Sequence, residues 1–255
     1  MELASAIASD LSGICEDVFS IQIVPPGWIH FELTHSTLAT WLQSLVVGSS
    51  GEEEEQGEIN SKFKIQNSKL YPYREASYAQ RLVEKKNIDR DEGTRRITHA
   101  QCQMPNLFAI EYAHARCCSL VLLAHQEGLI KLREPVPNTS PAFWEVISPN
   151  PLPWLNCDGT LRLNHLDERR LIDELIQVID NIECPDVGGS VKWEKVALNL
   201  SQAFEKFWSN CRIWGEVKII SPELAQARLG LLMATQSVLK YVLEENLGVF
   251  APLEL

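Results

Sequence analysis

Phe108-Ala-Ile-Glu-Tyr-Ala-His-Ala-Arg-Cys-Cys-Ser-Leu-Val-Leu-Leu-Ala124 contains neither Gly nor Pro and is longer than a buried strand, so it reads as a core helix. Ile110, Ala113, Cys117, Leu120 and Ala124 fall on one stripe at helical spacing, while Tyr112, Arg116 and Ser119 fall opposite. One face is expected to pack, and the other to offer an aromatic ring one turn from a guanidinium. Such a pair can stack a nucleobase and grip a phosphate. It can equally cap a contact between two helices.

Composition bounds what this helix can belong to. With 255 residues, 45% of them hydrophobic and 22% charged, the chain has the length of one large or two small globular domains. Its apolar runs fall short of the roughly 18 residues a membrane span needs, and Met1-Glu2-Leu-Ala-Ser has no basic start. A soluble, cytoplasmic protein without membrane contact is expected. Seven cysteines, two adjacent at Cys117 and Cys118, do not form a disulfide framework in a chain this long, and a reducing compartment fits them. The formal charge of -11 opposes nucleic-acid binding, which ordinarily leaves a basic footprint. Two segments run the other way: Arg81 to Arg96, with Lys85, Lys86, Arg90 and Arg95, and Lys192 to Lys218, with Lys195, Lys206 and Arg212.

In chain order, Leu3, Ile7, Leu11 and Ile14 repeat as in a helix. Phe19, Ile21 and Ile23, then Ile29, Phe31 and Leu33, alternate as strands on either side of Pro25-Pro26-Gly27. A second helix follows with Leu38, Trp41 and Leu45, capped near Thr34 or Ser36. Gly48 to Gly57 is acidic and of low complexity, and reads as a solvated linker. Segment 61–104 is ambiguous, with a short amphipathic helix expected from Glu75 to Lys86. The prolines between Pro135 and Pro153 predict an irregular connection pinned by Trp144 and Trp154. Three more helices are expected. One begins near Asn164 with Asp167 and Glu168 in its first turn and carries Leu171, Leu175, Val178 and Ile182. Another runs from about Lys192 through Phe207. The last begins at Ser221-Pro222, with Ser221 as cap, and stops before Gly248.

The order of residues adds a resemblance. Tyr112-Ala-His-Ala-Arg116 resembles the Gln-Tyr-Ala-His-Ala-Arg signature that opens the DALR anticodon-binding domain of arginyl-tRNA synthetases, with Glu111 in the Gln position. Leu200-Ser-Gln-Ala-Phe-Glu-Lys-Phe-Trp-Ser-Asn-Cys-Arg-Ile213 is similar to a later segment of that domain, and Ala227-Arg-Leu-Gly-Leu-Leu232 with Ala251-Pro252 to its final helix and tail. Pro26-Gly-Trp-Ile-His-Phe-Glu-Leu33 resembles the strand closing the synthetases' N-terminal additional domain. The resemblance implies a mainly α fold, with a helical-bundle DALR domain over 75–255, an acidic linker over 48–74 and a small α+β unit over 1–47.

It also implies a function by what is missing. The synthetases' His-Ile-Gly-His-type and Lys-Met-Ser-Lys-type catalytic motifs do not occur, and the stretch between the recognised parts cannot hold a nucleotide-binding domain of several βαβ units. A non-catalytic tRNA-binding module is therefore expected, with an arginine tRNA as partner, Tyr112, Arg116, Arg95, Arg96 and Arg212 as candidate RNA contacts, and no cofactor. The alternative is a protein-interaction subunit of a synthetase or tRNA-modifying assembly, which the net charge favours. The chain ends Ala251-Pro-Leu-Glu-Leu255 where synthetases end Ala-Pro-Glu-Arg-Met, a departure at the end that lies near the anticodon loop. His99-x-x-Cys102 and His114-x-x-Cys117 have zinc-like spacing, but Cys117 sits on the core stripe and no metal site is expected.

Overall fold

The spacing of Leu3, Ile7 and Leu11 does build a helix, α1 (Glu2–Cys15), but the face it buries is the one carrying Ala4 and Ala8. The computed structural model describes residues 2–15, 18–46, 104–133, 144–184 and 191–255. The acidic linker, the helix expected over 75–86, and Arg95, Arg96, His99 and Cys102 lie outside the described residues. Against α1 packs a hairpin of β1 (Phe19–Val24) and β2 (Trp28–Leu33), antiparallel in the register Phe19 to Leu33 through Val24 to Trp28. Small alanines let helix and hairpin approach closely, which leaves Leu3 and Ile7 exposed.

α2 (His35–Val46) follows, its start capped by Thr34, whose hydroxyl accepts from the Thr37 amide at 3.3 Å. Leu42, Leu45 and Val46 of α2 are buried in the same core as the helices that follow, and α2 packs on the last long helix. Those helices are α3 (Leu107–Gln126), α4 (Leu166–Glu183), α5 (Trp193–Asn210), the short α6 (Glu216–Ile220) and α7 (Pro222–Tyr241), which continues as a π turn over Val242–Asn246. α3 packs on α5 and α7, and α4 on α5, so the fold is a helical bundle with the small hairpin unit at its N-terminus. By length and composition α3 could cross a membrane, but 56% of that stretch is buried inside the bundle, as the central helix of a packed core requires.

One feature between α3 and α4 was not legible in the sequence. β3 (Lys131–Leu132) and β4 (Val146–Ser148) pair antiparallel, so the proline-rich connection is partly regular. Trp144 and Trp154 are both buried, as its pinning requires. Trp154 lies against Gly230 of α7, and its indole N–H donates to Gln43 Oε1 at 2.8 Å, an oxygen that also accepts from the Leu152 amide at 3.0 Å. A single amide of α2 thus holds the connection down on the bundle.

The helix ends differ in how their orphan backbone groups are met. At α4 the His165 amide donates to Glu168 Oε2 at 2.7 Å while His165 Nδ1 accepts from the Asp167 amide, so the first turn is capped from both directions. Ser221 makes no side-chain cap on α7, contrary to expectation; its carbonyl accepts from the Leu224 and Ala225 amides instead, and Pro222 needs no partner there. α3 begins at Asn106, whose amide and side chain both donate to Glu194 Oε1 of α5, at 3.0 and 3.1 Å. That bond fixes where the central helix starts and therefore which of its residues face outward.

Candidate nucleic-acid interface

Once α3 is seated, every third or fourth residue from Phe108 must look away from the core: Phe108, Tyr112, Arg116, Ser119 and Leu123 are exposed in a row. Phe108 is 68% and Tyr112 45% exposed, and their rings stack with centroids 6.3 Å apart at 24°. The next residue along, Arg116, places its guanidinium carbon 5.3 Å from the centre of the Trp208 ring. Trp208, near the end of α5, meets Trp214 edge to face at 5.7 Å and 75°. Four aromatic rings and one permanent cation therefore line one side of the bundle.

The chemistry of such a strip is specific. Exposed aromatic faces accept unpaired bases whatever their identity, and a guanidinium over an indole still has N–H donors to offer an anion. Trp214 has a buried indole N–H for which no acceptor is found. Phe108, Trp208 and Trp214 were not singled out in the sequence. Phe108 could have been, since it lies one turn before Tyr112, whereas Trp208 reaches Arg116 only through the packing of α5 on α3, and Trp214 joins through its contact with Trp208.

Arg212 is brought to the outer end of the same helix α5. Its neighbours Cys211 and Ile213 are buried, which turns Arg212 outward, and its carbonyl accepts from Arg228 Nη1 at 2.6 Å. Arg228 in turn donates through Nε to Glu168 Oε1 at 2.6 Å, a carboxylate only 1% exposed that also caps α4. Thus Arg228, from the motif Ala227-Arg-Leu, is a structural cation bracing the loop that carries Arg212. Arg95 and Arg96 lie outside the described residues.

The middle of the signature is spent inward. Ala113, His114 and Ala115 are buried between exposed Tyr112 and Arg116. His114 has both ring nitrogens bonded: Nδ1 donates to the Pro252 carbonyl at 2.8 Å, which leaves Nε2 to accept from the Gln236 amide at 3.1 Å. Burial holds this imidazole neutral, lowering its pKa to about 4, with Lys240 adding in the same direction against the opposing Pro252 bond. Cys117 and Cys118 lie beside it, and burial raises both thiols, Cys118 to about 12. Among the described residues no three His, Cys, Asp or Glu side chains converge to hold a metal. The tail departs from the synthetase pattern only beyond this bond: Ala251 is buried and Pro252 binds His114, whereas Glu254 and Leu255 are exposed.

Comparison with known proteins follows the same residues. Residues 110–255 match the model of the DALR anticodon binding domain. The chain is 32% identical over 144 residues to an arginine-tRNA ligase of Synechococcus, 31% over 147 to one of Salinibacter ruber, and 29% over 135 to one of Gloeobacter violaceus. Those matches cover 56%, 57% and 52% of this chain but only 21%, 21% and 20% of the ligases, so the chain spans about a fifth of their length. No solved structure matches it. With the helical bundle, the signature of α3 and more than half of its length inside the family's bounds, the chain belongs to the DALR anticodon-binding domain family.

Proposed function

We propose that this protein is a non-catalytic tRNA-binding module that holds or presents a tRNA, an arginine tRNA first among the candidates, in the cytoplasm. The observation that carries the reading is the exposed strip Phe108, Tyr112 and Arg116, with half-buried Trp208 beside the guanidinium, on the side of a domain whose family is described as anticodon-binding. Tyr112 with Phe108 stacks unpaired bases, Arg116 on its indole holds a neighbouring phosphate, and Arg212, with Arg95 and Arg96, supplies further backbone contacts. The absence of the synthetase catalytic motifs from the sequence supports the non-catalytic part. With a net charge of -11, few phosphates are neutralised and the salt dependence is shallow.

Stacking on an aromatic ring contributes about 1 to 3 kcal/mol per base, so Tyr112→Ala weakens binding of a tRNA pool by roughly fivefold to over a hundredfold. A fluorescence titration at low salt measures it, with an arginine-tRNA transcript against other transcripts for specificity. Absence of saturable binding, or binding indifferent to both Tyr112→Ala and Arg116→Ala, defeats the RNA reading. The protein-interaction reading, as a subunit of a synthetase or tRNA-modifying assembly, then takes its place; the acidic balance of the chain is what favours it.

A further inference from the structure

Between the end of α3, the β3–β4 pair and the first turns of α7 lies a cleft of about 420 Å³, and among the described residues no carboxylate lines it. Lys131 and Ser148, both exposed, stand opposite each other in the strand pairing and line it from neighbouring strands. The Leu132 amide donates to His125 Nδ1 at 3.2 Å, which puts the ring proton of the neutral imidazole on Nε2 and makes that nitrogen a donor. Gln226 spends its Nε2 on the Leu129 carbonyl at 2.9 Å. Ile130 and Pro149 give the cleft an apolar wall.

The charges on the elements around the cleft decide what it can hold. Their carboxylates already have cations of their own: Glu127 has Lys218 at 2.9 Å, Glu145 has Arg133 at 2.6 Å and Glu223 has Arg162 at 3.4 Å. Lys131 makes no ion pair among the described residues, so its charge is left for a ligand. The carbonyls that end α3 would repel an anion if left bare, but those of Leu123, Ala124 and His125 accept from the Glu127, Leu129 and Gly128 amides. A cation, a hydroxyl and an imidazole N–H beside an apolar wall suit an anionic head on a compact body, and the volume is that of a small-molecule site. Three separate donors match the three terminal oxygens of a phosphate monoester better than the two of a carboxylate. We infer that this cleft binds an organic phosphate of nucleotide size, its phosphate held by Lys131, Ser148 and His125 Nε2 and its body against Ile130 and Pro149. The phosphate belongs to a free nucleotide or to an RNA. The inference does not rest on the RNA reading, since a free nucleotide satisfies it.

The test is calorimetry and amide NMR on the full chain at low salt, titrated with adenosine monophosphate, with adenosine and inorganic phosphate as controls. The nucleotide is expected to saturate and to shift the Lys131 and Ser148 amides, with adenosine at least tenfold weaker and inorganic phosphate also weaker. Lys131→Met, which keeps a stem but loses the charge, weakens the nucleotide at least tenfold, Ser148→Ala weakens it several-fold, and Lys131→Arg keeps most of it. Tyr112→Ala, which tests the RNA reading, leaves it unchanged. Lys131 and Ser148 are exposed, so the variants keep their fold, which unchanged circular dichroism spectra and melting temperatures establish. No saturable nucleotide binding, adenosine as tight as its monophosphate, shifts confined to residues away from the cleft, or indifference to both Lys131→Met and Ser148→Ala overturns the inference. A tRNA transcript separates the two sources: displacement of the nucleotide, lost in Lys131→Met, assigns the phosphate to RNA, and a nucleotide that stays bound beside the transcript assigns it to a free one.

Discussion

The bond from His114 to the tail makes stability depend on pH in a way that can be worked out beforehand. The imidazole titrates near its ordinary value of 6.5 in the unfolded chain but near about 4 in the folded one, where burial and both hydrogen bonds require it neutral. The unfolded state therefore binds more protons between those values, and stability is complete above about 6.5, falls as pH drops toward about 4, and levels below. Linkage over that window amounts to roughly 3 kcal/mol in full and about 2 kcal/mol by about pH 5. Asp167, whose carboxyl the Asn210 amide and Arg170 hold below the usual range, contributes stability that is lost only at still lower pH, so it does not confuse the window. His114→Asn keeps a donor in the place of Nδ1 and removes the titration. Urea unfolding at pH 7.5 and pH 5 is the assay: the parent loses about 2 kcal/mol between them, and the variant, less stable at pH 7.5, loses far less. An equal loss in both, or an NMR titration placing His114 near 6.5, refutes the reasoning.

Gly230→Ala should run against helix propensity. A Cβ there meets Trp154 Cη2 at 2.5 Å and Leu152 Cδ1 at 2.7 Å, and the shared bonds to Gln43 keep that loop from retreating, so overpacking of about 1 to 3 kcal/mol exceeds the roughly 1 kcal/mol gained in the helix. A urea midpoint equal to or above the parent's would sink this. Arg228→Met leaves Glu168 buried without its cation and costs about 3 to 5 kcal/mol in chemical denaturation. If Glu168→Gln in the same chain, which keeps an acceptor for the His165 amide but removes the charge, recovers none of that loss, the buried charge is not the cause.

How much of this was legible in the sequence depended on whether an element's partner lay near it in the chain. The long helices declared themselves because their buried residues recur every third or fourth position, as in Leu171, Leu175, Val178 and Ile182. α1 shows the limit of that signal: Leu3 and Ile7 mark a helix, yet Ala4 and Ala8 are its contact face, because the hairpin beneath admits only small side chains. The short β3–β4 pair and α6 carry too few residues for any period to show. At the interface, Tyr112 and Arg116 could be read from α3 alone, but Trp208 and Trp214 join them only through the packing of another helix.

The family signatures of this chain divide by the direction their residues face, and that division limits what family membership says about function. His114, Ala113 and Ala115 of the first signature, Phe204, Phe207 and Cys211 of the second, and Leu229 and Leu231 beside Arg228 in the third are buried and make the bundle. A chain that kept the fold for any purpose would need them, whether or not it touched RNA. Tyr112, Arg116 and Arg212 of these signatures face outward, as does Phe108 one turn before Tyr112, whereas Trp208 is half-buried beneath Arg116. Substitutions in the outward set that leave stability unchanged therefore carry information about function, whereas loss of binding in an inward variant such as His114→Asn reports the fold. The hairpin's Trp28 also belongs to the outward class: at 68% exposed it contributes little to stability, so its replacement leaves the fold unchanged.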